Sequence, residues 1–143
     1  MSYLTYYTNP YSYPENRGVS ILVSKDVAGD YEFAMFVVWT DGQQLYYATD
    51  SGCSCPTPFE DLQLKPTEED EYAYDYSQPR TVKITPLSET LDPASKDAIY
   101  SAVDAWVADR SYYLDSEYDR ERLTCMRQAA LDIKEKVRGW TPK

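Results

Sequence analysis

Residues 31–49, YEFAMFVVWTDGQQLYYAT, decide the fold class of this chain. Tyr31, Phe33, Met35, Val37 and Trp39 recur at every second position, and Glu32, Ala34, Phe36 and Val38 fill the positions between, so the two sets lie on opposite faces of one β-strand. Asp41-Gly42 is a dipeptide that accepts positive φ at a tight turn, and Gln44 to Thr49 resumes the strand pattern. An antiparallel hairpin, about 31–39 with 44–49, is therefore expected. Phe36 and Val38 are apolar as well and meet Leu45 and Tyr47, so one end of the hairpin is expected to be covered on both faces.

Outward from the hairpin, Val19 to Ser24 is a short β-branched run that reads as a further strand, and Arg80 to Thr85 (RTVKIT) is a candidate fourth. The period then changes. Asp92 is a good N-cap and Pro93 suits the first helical position, while Ile99, Ala102, Val103, Trp106 and Val107 form a stripe at helical spacing. A second helix is expected from about Ser116, with Asp119 completing a box-like cap, through Leu123, Met126, Ala130, Ile133 and Val137 to a stop at Gly139. Its acids Glu117, Asp119 and Glu121 precede its bases Lys134, Lys136 and Arg138, the order that complements the helix dipole. The short link Arg110 to Asp115 makes the helices antiparallel neighbours whose stripes need a platform. The expected architecture is α+β, an antiparallel sheet of three to four strands with a C-terminal antiparallel helix pair packed on one face.

Length and composition agree with one domain. The chain has 143 residues, 43% of them hydrophobic, and 15 tyrosines supply much of the apolar area. Residues 19–143 read as a single α+β domain. Residues 1–18 hold five Tyr with no period of 2 or 3.6 and read as an irregular arm, either a frayed terminus or a segment that docks on a partner. The opening residues carry neither a basic start nor an apolar run, and no stretch approaches the length of a membrane span, so the expected setting is cytoplasmic.

Charge narrows the function classes. The formal net charge is −10 and there is no His, which removes the residue used most often for proton transfer near neutral pH. Acidity of this size opposes direct contact with a phosphate backbone. It is unevenly spread, because residues 1–119 carry 7 bases and 21 acids whereas residues 120–143 carry 7 bases and 3 acids. Gly-rich phosphate loops, a Gly-x-Ser-x-Gly elbow and a zinc-protease helix are all lacking from the sequence. Carboxylate sets such as Asp50, Glu60 and Asp61 arise by chance among 24 acids. The expectation is a non-enzymatic protein with no cofactor.

Asp50 to Pro58 (DSGCSCPTP) is turn chemistry throughout. In the plain reading Asp50, Gly52, Cys53, Cys55, Pro56 and Pro58 form a structural turn, its small cysteines packed under the hairpin and its prolines fixing the exit. A metal reading would join Cys53, Cys55 and Cys125 to Asp50 or Glu60, but structural zinc favours four Cys or His ligands, and Cys125, beside an apolar helix stripe, reads as a buried small hydrophobe. A redox role for Cys-x-Cys departs from the usual two-residue spacing.

The segment YEFAMFVVWTDGQQLYYATDSGCSCPTPFEDL, residues 31–62, resembles a family of small phage proteins from actinobacterial hosts that is classed as a domain of unknown function. The likeness covers about a quarter of the chain and is most specific in DSGCSCP and PFE. It implies a phage gene product acting inside an infected bacterium, and it brings no catalytic residues.

The remaining feature is the run Glu68, Glu69, Asp70, Glu71, Tyr72, Ala73, Tyr74, Asp75, Tyr76. One reading is a solvated loop. The other is a surface whose acids and interleaved tyrosines imitate phosphates and bases and so engage a nucleic-acid-binding protein. The expected function is thus a phage accessory protein that binds and modulates a host or phage protein, with acidic mimicry of nucleic acid as one route. A small virion structural or assembly component is the alternative, and would differ by appearing in purified particles.

Overall fold

The structure, a computed structural model, describes residues 7–28, 32–53, 57–64, 84–111 and 117–143. Three strands, β1 (Ser20–Asp26), β2 (Glu32–Thr40) and β3 (Leu45–Cys53), form an antiparallel meander in the order β1-β2-β3. Two helices follow, α1 (Lys96–Ser111) and α2 (Glu117–Gly139). The architecture is α+β, with the C-terminal helices packed on the sheet.

The hairpin has the expected partners but a longer reach. Pairing runs from Thr40 with Leu45 to Glu32 with Cys53, so Asp50, Gly52 and Cys53 belong to β3 and not to the turn that their residue types had implied. Local turn preference loses here because β2 offers an unbroken ladder, and each backbone pair formed spares two polar groups from burial unbonded. The four-residue loop is closed by Asp41, whose Oδ1 accepts the amides of Gln43 (2.9 Å) and Gln44 (2.7 Å), while Gly42 takes φ +95°. On the other side of β2, a bulge between Ile21 and Val23 shifts the register of β1. The shift sends Ile21 to one face of the sheet and both Leu22 and Val23 to the other. Of the run Arg80–Thr85, residues 80–83 lie outside the described residues, and Ile84 and Thr85 are not in a strand.

Alternation in β2 divides the core in two. Phe36 and Val38 face the helices, packing with Ile99, Val103 and Trp106 of α1 and Met126, Ala130, Ile133 and Val137 of α2. Phe36 meets Trp106 edge-on at 5.6 Å and stacks on Tyr47 at 5.6 Å. Phe33, Met35, Val37 and Trp39 face the opposite way into a second cluster with Val19, Tyr46, Phe59 and Leu87. Both faces of β2 are covered along nearly its whole length, beyond the one covered end that the sequence implied. Residues 7–18, 57–64 and 84–91 supply the second cover.

The helices lie antiparallel. Lys96 at the start of α1 donates to the carbonyls of Arg138 (2.9 Å) and Trp140 (2.6 Å) at the end of α2, and Lys134 pairs with Asp104 at 2.6 Å. The N-cap of α1 is Ser95, not Asp92, since the Ser95 Oγ accepts the amide of Ala98 at 3.1 Å. The displacement has a tertiary cause: Ala94 donates to the Leu45 carbonyl at 2.8 Å, which bridges it to β3 ahead of the helix. Cys125 is exposed on α2, which corrects its assignment to the core. A step of one residue, about 100° around the helix, carries it away from the Met126 and Ala130 stripe.

Candidate interaction surfaces

Construction of the second cover begins with residues 7–18. Asn9 is fully buried with every side-chain group engaged: its Nδ2 donates to the Pro58 carbonyl and to Gln63 Oε1, each at 2.8 Å, and its Oδ1 accepts the amides of Tyr11 (2.9 Å) and Ser12 (3.0 Å). Trp39 Nε1 reaches the Pro10 carbonyl at 2.9 Å. A short 3-10 turn, Pro14–Arg17, ends at Gly18 with φ +67°, a left-handed position suited to glycine.

That turn aims Arg17 inward, where it is fully buried. Its Nε donates to the Thr85 carbonyl (2.8 Å), its NH1 to the carbonyls of Thr8 (2.9 Å) and Leu62 (2.7 Å), and its NH2 to Thr90 Oγ1. One guanidinium thus ties three segments together. Burial pulls its pKa below the ordinary arginine value, and the field of Glu89 opposes that pull.

The DSG…PFE signature has a structural explanation in this cover. Asp50 Oδ2 accepts the Phe59 amide at 2.7 Å, tying β3 to the 57–64 segment, and Glu60 Oε1 accepts the Thr57 amide at 3.0 Å. Phe59 is buried at φ +65° with its ring edge-on to Trp39 at 5.3 Å and near Tyr11 at 6.0 Å. Asp50 and Glu60, weighed above as metal ligands, are therefore engaged in holding backbone. Cys55 and Pro56 lie outside the described residues, and so does the acidic run Glu68, Glu69, Asp70, Glu71, Tyr72, Tyr74, Asp75 and Tyr76.

Nothing in residue spacing marked Asn9 or Arg17 as central. The one local signal is PENRG, a proline-opened turn with glycine after it, which places Arg17 at a turn end but says nothing of burial.

On the helix side, an open groove of about 670 Å³ runs between β1 and the end of α2. Leu22, Val23 and Trp140 give it apolar walls, and Lys25 and Asp132 join across it at 3.1 Å. Hydrogen bonds from Gln128 and Lys25 hold the Asp132 carboxyl below the usual carboxylate range. At the hairpin end, Asp41 also accepts Tyr46 OH at 2.8 Å. Burial disfavours ionisation of Asp41, but the bonds from Gln43, Gln44 and Tyr46 outweigh it and its pKa is lowered. Burial and the same bond to Asp41 raise the pKa of Tyr46.

Two features define the electrostatics. Three bases of residues 1–119 serve internal bonds: Arg17 in the core, Lys25 on Asp132, and Lys96 on the α2 carbonyls. Exposed acids, among them Glu15, Asp26, Glu32, Asp61, Glu89, Asp92, Asp97 and Asp109, are left to set the surface field. The exposed line of α2 is instead basic.

Fold and surface together define a small acidic α+β domain, a three-stranded antiparallel meander sandwiched between a helix pair and a cover of irregular chain. The model of one protein family, described as Domain of unknown function (DUF7574), matches residues 8–108, more than two thirds of the chain, and the protein belongs to that family. The matched region spans the cover and the whole sheet and ends within α1, before α2 begins. Searches of curated proteins and of solved structures return no match. Among the described residues, no helix is long and apolar enough to cross a membrane.

Proposed function

We propose that this protein is a phage-encoded, non-enzymatic accessory factor that acts in the host cytoplasm, where it binds and modulates a host or phage protein through acidic mimicry of nucleic acid. The observation that carries this reading is the consumption of basic groups by the fold. Arg17, Lys25 and Lys96 are all internally bonded, while the exposed acids Glu15, Asp26, Glu32, Asp61, Glu89, Asp92, Asp97 and Asp109 face solvent on a chain of formal charge −10. The Glu68–Tyr76 run adds five acids and three tyrosines in one short stretch and is the segment proposed to meet the partner. A partner built to bind polyanions would be drawn to such a surface by long-range attraction, which salt screens.

The test is capture of host proteins on the tagged chain from an actinobacterial lysate, at low and moderate salt, with duplex DNA as competitor. One dominant nucleic-acid-binding protein is expected, released by salt, displaced by DNA, and lost when Glu68, Glu69, Asp70 and Glu71 are changed to Gln and Asn. Binding that is indifferent to salt and to DNA overturns the mimicry. A second reading, a small virion structural or assembly component, is favoured by one observation, the exposed basic line on α2.

A further inference from the structure

Among the described residues the exposed large hydrophobics are Leu131, 60% accessible, and Ile84, 59% accessible. Their surroundings have opposite charge. Arg120, Arg127, Leu131 and Arg138 follow one another along α2 at spacings that return to the same line of the helix within about 20°, and the line runs about 27 Å. All four side chains are exposed, and no hydrogen bond or ion pair to a described residue engages the three guanidinium groups. Lys134, paired with Asp104, borders the line on one side, and Gln128 and Glu135 border it on the other.

Ile84 lies on the other cover. Its Cγ2 is 3.7 Å from the point where a side chain on Gly18 would begin, and its neighbour Thr85 donates to the Asn16 carbonyl at 3.1 Å, so it sits against the Glu15–Gly18 turn. Glu15 is exposed on that turn, and Glu89, also exposed, acts electrostatically on Arg17 just beneath. One patch is an aliphatic side chain among arginines and the other an aliphatic side chain among glutamates. The first belongs to the helix layer, whereas the segment after Ile84 packs through Leu87 on the opposite face of the sheet, so the two patches of one molecule do not share a surface.

We infer that the α2 line of one copy docks on the Ile84 patch of a second copy, pairing Leu131 with Ile84 and Arg127 and Arg138 with Glu15 and Glu89. The occupant is argued from complementarity. A phosphate chain gains nothing from Leu131 and is repelled by a body with 21 acids against 7 bases over residues 1–119, whereas the same body is what a cationic line with an apolar centre fits. Because the two patches differ, the contact is heterologous and repeats into rings or open chains.

The experiment is sedimentation velocity of the full chain from micromolar to millimolar concentration, at about 50 mM and about 500 mM salt. Concentration-dependent association is expected at low salt, at least about tenfold weaker at high salt. Arg127→Glu with Arg138→Glu removes one patch, and Glu15→Lys with Ile84→Ser removes the other. Each double variant is expected to be monomeric alone, and their mixture to form a 1:1 pair that grows no further, because each retains the patch the other lacks. Leu131→Ser, on an open helix face, is expected to reproduce the loss should the second variant misfold by circular dichroism. A wild-type chain monomeric at every concentration, an oligomer that Arg127→Glu with Arg138→Glu or Leu131→Ser leaves intact, or association only with added duplex DNA overturns the inference.

Discussion

Arg17 places a positive charge in the interior with three carbonyls and a hydroxyl as its direct partners. A charge out of water is tolerated only when its hydrogen-bonding groups are satisfied, and this guanidinium meets that condition by drawing on Thr8, Leu62, Thr85 and Thr90. Removing it takes one donor from each of these four acceptors. Arg17→Met, similar in length and apolar, is expected to destabilise the protein by about 3–5 kcal/mol, read from urea denaturation at pH 7. Arg17→Lys is expected to recover only part of that, since an ammonium lacks the planar fork that reaches partners on several sides. A loss under about 1 kcal/mol for Arg17→Met would show that the cover holds without its staple. No sequence rule foretold this residue, because an arginine in a turn is ordinarily solvated.

At the level of elements, the start of α1 separates local from tertiary signals. Asp92-Pro93 carries the residue types of a helix start, yet the helix begins three residues later because Ala94 is paired with Leu45. Ser95→Ala is therefore expected to cost about 1 kcal/mol in thermal or urea unfolding, while Asp92→Ala stays within about 0.5 kcal/mol. The reverse ranking would return the cap to Asp92. The helix stripes, by contrast, were legible from spacing alone: Ile99, Val103 and Trp106 are buried, and so are Met126, Ala130, Ile133 and Val137. The length of β3 was not legible, because Asp50, Ser51 and Gly52 are turn formers by composition and become strand only opposite Met35, Ala34 and Phe33.

Across the whole molecule, β2 is the central layer of three, and its two faces depend on covers of different kinds. The helix pair is regular and self-capping, whereas the opposite cover is irregular chain held by Asn9, Arg17, Phe59 and Trp39. A chain beginning at Val19 would lose Asn9, Tyr11 and Arg17 together and uncover Trp39, Val37 and Met35. Such a truncation is expected to keep most of its far-UV helix signal while losing near-UV structure and binding a hydrophobic dye. Retention of a cooperative unfolding transition with no dye binding would show that the sheet needs only its helix side.

The sequence by itself determined the periods, and with them the hairpin, both amphipathic helices, the α+β class and the split between an acidic body and a basic last helix, because each of these follows from residue order over a few turns or strands. The tertiary structure alone decided which irregular segment covers the second face of the sheet, where β3 ends, where α1 begins, and that Arg17 and Asn9 are interior. Those outcomes depend on contacts between residues up to 73 positions apart, as between Arg17 and Thr90, and on the saturation of buried backbone groups. Neither leaves a period in the sequence.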